Sequence, residues 1–174
     1  MSADTAATPD TEDTPDGSLI ATTPKSLDAA LAAASADADQ PYRLDDGRCT
    51  MSVPMPAGLV EGLDELTVTV RLSGDIVSFV SPLAALTADE VPGDAATALL
   101  RRQFFSLQTD GAGFAIADRD DVLVAQYHWI PISLTPAAFA TIFERFVAAA
   151  LRLRDEVAVM AQQGAPFDVL RSDS

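Results

Sequence analysis

The chain has 174 residues, with 11 Lys or Arg against 26 Asp or Glu, a net charge of −15, 48% apolar residues, one Cys, one His, one Trp and no Asn. Cys49 and His128 alone supply neither the four ligands of a structural zinc site nor the three of a catalytic one, a lone thiol closes no intrachain disulfide, and without Asn there is no N-glycosylation acceptor. The counts leave a soluble acidic domain of ordinary size, without a metal or cofactor signature and with no reaction announced.

Residues 1–23 carry Asp4, Asp10, Glu12, Asp13 and Asp16 and no Lys or Arg. They contribute −5 and read as a disordered acidic tail, which leaves −10 on the rest of the chain. Met1-Ser-Ala-Asp4 has neither a positive n-region nor an apolar h-region, and no apolar stretch exceeds six residues, as in Phe146 to Leu151, bounded by Arg145 and Arg152. No export signal or membrane span is expected, and the cytoplasm is the expected compartment. One ordered domain is expected over 24–165, with 166–174 as a C-terminal tail.

The first predicted element is a helix over 25–38, Ala-rich, with Leu27 and Leu31 on one face and Pro41 beyond its end. Cys49, Met51, Val53 and Met55 then alternate with Arg48, Thr50 and Ser52, the pattern of a half-buried strand, with Pro54 at an edge or end. Leu66, Val68, Val70 and Leu72 give the clearest period of two, and Ser73-Gly74-Asp75 turns it into a third strand from Asp75 to Val80. Over Asp94 to Leu107 the period changes, with Ala96, Leu99, Leu100, Phe104 and Leu107 at helical spacing. Gly111 and Gly113 break that helix, and a second hairpin follows from Phe114 to Trp129, turning at Asp118 to Asp121. In its returning strand Val122, Val124, Gln126, His128 and Ile130 share one face, and Leu123, Ala125, Tyr127 and Trp129 the other.

The closing helix carries the strongest signal. Thr135 caps it, Pro136 takes the first helical position, and Phe139, Phe143, Phe146, Ala150, Leu153, Val157 and Met160 recur at spacings of four and three until Gly164. Such a helix is about 40 Å long, so either its end overhangs a small sheet or a second subunit packs on it. The class is α+β, ordered α-βββ-α-ββ-α, a five-stranded antiparallel sheet packed by three helices.

This order, and in particular the segment Asp121-Val-Leu-Val-Ala-Gln-Tyr-His-Trp-Ile-Pro-Ile-Ser-Leu-Thr-Pro-Ala-Ala-Phe with the helix that continues to Met160, resembles the type III secretion chaperone fold and the related YbjN-like bacterial proteins. The resemblance spans Pro24 to Gly164. It implies a non-enzymatic, cytoplasmic homodimer that holds another polypeptide. By the same resemblance the middle helix forms the dimer, which makes Leu99, Leu100, Phe104 and Phe105 candidates for a dimer or partner interface; sheet packing is the competing role for these residues.

Other constellations fall away. Asp118, Asp120 and Asp121 lack the Gly and Glu that a calcium loop needs, since Leu123 and Trp129 occupy those positions. Gly111-Ala-Gly113 has Ile116 in place of a third glycine, and the chain has no phosphate-binding lysine motif. Direct nucleic-acid binding needs clustered Lys and Arg that an acidic domain lacks. The net charge instead favours a basic protein partner, one that itself handles nucleic acid included. The alternative is a small-ligand-binding or enzymatic α+β domain with a pocket near His128 and Tyr127.

Overall fold

The computed structural model describes residues 22–35, 41–55, 64–86, 111–117, 122–164 and 167–169. The predicted middle helix, with Leu99, Leu100, Phe104 and Phe105, and the turn at Asp118 to Asp121 lie outside the described residues. The first helix, α1, spans Pro24–Ala34. It starts on a reciprocal cap in which Thr23 Oγ1 accepts the Ser26 N–H and Ser26 Oγ accepts the Thr23 N–H, an arrangement that satisfies two orphan donors of the first turn. Its C-cap is Ser35, earlier than the predicted helix end, and Ser35 Oγ accepts the Tyr42 N–H and so ties the returning chain to the helix end. Asp28 Oδ1 adds a second tie by accepting the Leu44 N–H.

The five predicted strands are present as β1 Arg48–Pro54, β2 Glu65–Ser73, β3 Ile76–Leu86, β4 Gly113–Ala117 and β5 Val122–Trp129, with β3 running past its predicted end at Val80 because Ser81 to Ala85 find partners on β5. All pairings are antiparallel in the order β1-β2-β3-β5-β4. A bulge at Leu83 shifts the β3–β5 register between Pro82 and Ala84, and both Leu83 and Ala84 are buried there. The beginning of what reads as a C-terminal tail in the sequence forms a sixth strand, β6 Phe167–Val169, antiparallel to Ala84–Leu86 of β3. Three residues give too short a period for pattern reading, and only the uncovered flank of β3 beyond β2 provides their partners.

The second described helix, α2, spans Pro136–Gln162 and is capped as its sequence requires, with Thr135 Oγ1 accepting the Ala138 N–H. The predicted stripe is the packed one. Phe139, Phe146, Ala150, Leu153, Val157 and Met160 are buried and Phe143 is half-buried. The length of α2 needs no second subunit to cover it, because α2 packs against α1 and β6 as well as against β3 and β5. The core lies between one face of the sheet and these two helices. Its centre is Phe79, whose ring sits 5.6 to 5.8 Å from those of Phe146 and Phe139 and 6.2 Å from Phe143.

Candidate functional site

Period-two alternation divides each strand between two faces. On the helix side, Val70 opposes Phe79 and Phe79 opposes Tyr127, while Val77 opposes Trp129. Tyr127 lines a cavity of about 30 Å³ together with Ala112, Ile142, Arg145, Phe146 and Ala149, room for one or two waters and too small for a metabolite. His128, the next residue, belongs to the opposite face. Among the described residues no one pocket therefore uses both Tyr127 and His128. Cys49 is buried on the helix side, where burial pushes its thiol pKa up, partly offset by a hydrogen bond from the Arg43 backbone. It packs as a small hydrophobe.

The outer face of the sheet is polar and graded. Toward β4, Val124 is only 7% exposed. At the opposite end the register sets Arg48 against Arg71, Arg71 against Ser78 and Ser78 against His128, one row across four strands. Arg48, Arg71 and His128 are exposed. Ser78 Oγ lies 2.8 Å from His128 Nδ1, which orients the ring and leaves Nε2 outward. The next row inward pairs Thr50 with Thr69, whose hydroxyls meet at 3.4 Å. One step beyond the Val77–Trp129 pair come Ile76 and Ile130, 38% and 69% exposed, and Ile132 follows at 77%. Pro131 between the two isoleucines is buried, so the pair flanks an anchored residue and is held at the surface. The sequence places each of these side chains on the outer face of its own strand. It does not bring them into one row; the available signal is two outward-facing arginines in an acid-rich chain.

The edge of β1 is covered in part. Gly47 and Met55 bond to Leu72 and Asp64, so the even-numbered residues between them point their backbone groups outward. Arg48 exchanges both of its outward bonds with Asp45, Tyr42 donates its hydroxyl to the Ser52 carbonyl at 3.1 Å, and Pro54 has no N–H. This is the covering by which edge strands avoid unwanted pairing. An open groove of about 530 Å³ runs beside it, lined by Pro41, Tyr42, Arg43, Asp45, Arg48 and Thr50. Among the described residues no three His, Cys, Asp or Glu side chains are placed to hold a metal ion, and no helix is long and apolar enough to cross a membrane.

No family model and no curated protein matches the sequence. Solved structures do match in shape. A chain of the ExsC–ExsE complex superposes with a TM-score of 0.56 at 11% identity, covering 76% of this chain and 93% of that one. A chain of the HopA1–SchA chaperone–effector complex gives a TM-score of 0.53 at 15% identity over 75% and 94%. At these identities the likeness is one of fold, and the fold is the chaperone-like α+β arrangement expected from the order of elements.

Proposed function

We propose that the protein is a non-catalytic, chaperone-like binder of another polypeptide, acting as a homodimer. The observation that carries the reading is the likeness of this fold, over 75% of the chain, to a chain from a chaperone–effector complex. The exposed Ile76, Ile130 and Ile132 support it, Ile76 and Ile130 lying side by side at one end of the sheet where exposed apolar side chains suit a polypeptide partner. The partial covering of the β1 edge favours recognition by the face of the sheet over strand addition at that edge. The net charge of −15 supports long-range attraction of a partner that is basic overall.

The test is affinity capture of the full chain after crosslinking, with the captured material identified by mass spectrometry and the mass of the free protein measured by light scattering. A polypeptide recovered in fixed proportion to a dimeric bait is the expected result. Recovery of no polypeptide, together with thermal stabilisation by a small metabolite that is lost in His128→Ala, would replace this reading with a ligand-binding one. A monomer at tens of micromolar would remove the dimer from it.

A further inference from the structure

We propose that the outer face of the sheet at its β2–β3 turn end receives a short stretch of the partner in which carboxylates alternate with aliphatic side chains. The carboxylates would lie over Arg48, Arg71 and His128, and the aliphatic groups over Ile76, Ile130 and Ile132. This rests on the polypeptide-binding reading above and names the chemistry of the segment that is held.

Charge complementarity carries the argument. Arg48 and Arg71 are directly opposite each other on neighbouring strands, an arrangement of like charges that costs stability on its own. The pair is non-hydrogen-bonded in the ladder, the class of pair whose side chains lie closest together. Two guanidinium forks so placed match carboxylates in a bidentate geometry that lysine does not offer. His128 extends the row on the far side of Ser78. Ser78 Oγ occupies Nδ1 at 2.8 Å, so Nε2 is the ring nitrogen left to meet a carboxylate. Four neighbouring strands put the ends of the row about 14 Å apart, the length of about four residues of extended chain. The isoleucines sit beside the Ser78–His128 half of the row, Ile76 on β3 and Ile130 after β5, so a segment lying along the row meets polar and charged groups over its whole length and an apolar subsite at its β3–β5 end. The protein as a whole repels anions, and local contacts of both kinds are what would hold an acidic segment against that field. A partner basic overall and acidic over one short stretch satisfies both the long-range field and this face.

The experiment probes the full chain against an array of immobilised 15-residue peptides that spans all charge compositions and includes overlapping peptides of this chain's own sequence. Peptides alternating Glu or Asp with Ile, Leu or Val are expected to dominate, and their Lys-for-Glu counterparts to be at least tenfold weaker. Arg48→Gln with Arg71→Gln is expected to lower the acidic-aliphatic signal at least tenfold, and Ile130→Ser with Ile132→Ser several-fold, with circular dichroism unchanged because all four positions are exposed. If a double variant loses its fold, Arg71→Gln and His128→Gln singly carry the same comparison. No peptide captured at all overturns this proposal and the polypeptide-binding reading together. Capture without acidic-aliphatic preference, or capture that the Arg variants leave unchanged, overturns this proposal alone. Capture confined to this chain's own peptides replaces the partner with a second copy.

Discussion

Phe79 is fully buried at the centre of the core, between Phe139, Phe143 and Phe146 of α2 and Tyr127 of β5, with ring centroids 5.6 to 6.4 Å away. It is the residue through which the longest helix grips the sheet, so Phe79→Ala measures how firmly that layer is held. The lost transfer of the ring from water is about 1.5–3 kcal/mol. A residual void of about 100 Å³, at about 24 cal/mol per Å³, adds about 2.4 kcal/mol. The expected loss is therefore about 4–5 kcal/mol, a large part of the 5–15 kcal/mol typical of a domain. Urea denaturation followed by circular dichroism reads it, at two protein concentrations tenfold apart because self-association would add to apparent stability. Phe79→Leu, which keeps most of the volume, is expected to cost about 1–1.5 kcal/mol. A loss below 2 kcal/mol in the Ala variant, or equal losses in Ala and Leu, would refute the reasoning that α2 is held chiefly by packing around this ring.

Two threonines of α2 are expected to respond with opposite signs. Thr135→Ala removes the N-cap acceptor of the Ala138 N–H and lowers stability by about 1 kcal/mol, whereas Thr141, whose hydroxyl donates back to Ala137 O, is replaced by Ala with no loss or a gain of up to about 0.5 kcal/mol, both read from denaturant midpoints. Gly111 has φ +86° and a Cβ there would meet the Tyr127 ring at 3.0 Å, while Gly74 has φ +58° and open space around it; Gly111→Ala should cost about 2–3 kcal/mol and Gly74→Ala about 1 kcal/mol by thermal melting. Cys49 has a pKa raised by burial, so its contribution to stability is fully present below the unfolded thiol value of about 8.5 and is lost as pH rises from there through the folded value. Cys49→Ala should flatten that alkaline decline in a stability–pH series, and the native thiol should react with a disulfide reagent only as fast as the protein opens.

Elements with a long, regular period were legible from the residues. The seven-position stripe of α2, its Thr135-Pro136 start, and the alternations of β1 and β2 each repeat one physical requirement several times over, so local pattern and tertiary burial agree. The end of α1 was less legible. Ala-rich propensity continues past Ala34, and what stops the helix is Ser35 capturing a backbone N–H from a segment that returns seven residues later. β6 was illegible because three residues have no period and their partner is a flank of β3 left free by the end of β2.

The candidate site divides in the same way. Alternation alone places Arg48, Arg71, Ser78 and His128 on the outer faces of their strands, and sends Tyr127 and His128 to opposite sides of β5. Composition alone decides that the chain is acidic and has neither the thiols nor the imidazoles for a zinc or disulfide scaffold. Only the tertiary structure aligns those four residues in one row beside Ile76 and Ile130, and only it covers the β1 edge with Tyr42. The reason is that a side chain's face follows from its position in its own strand. Its neighbour across the sheet follows from strand order and register, which depend on turns and on burial shared among segments far apart in the chain.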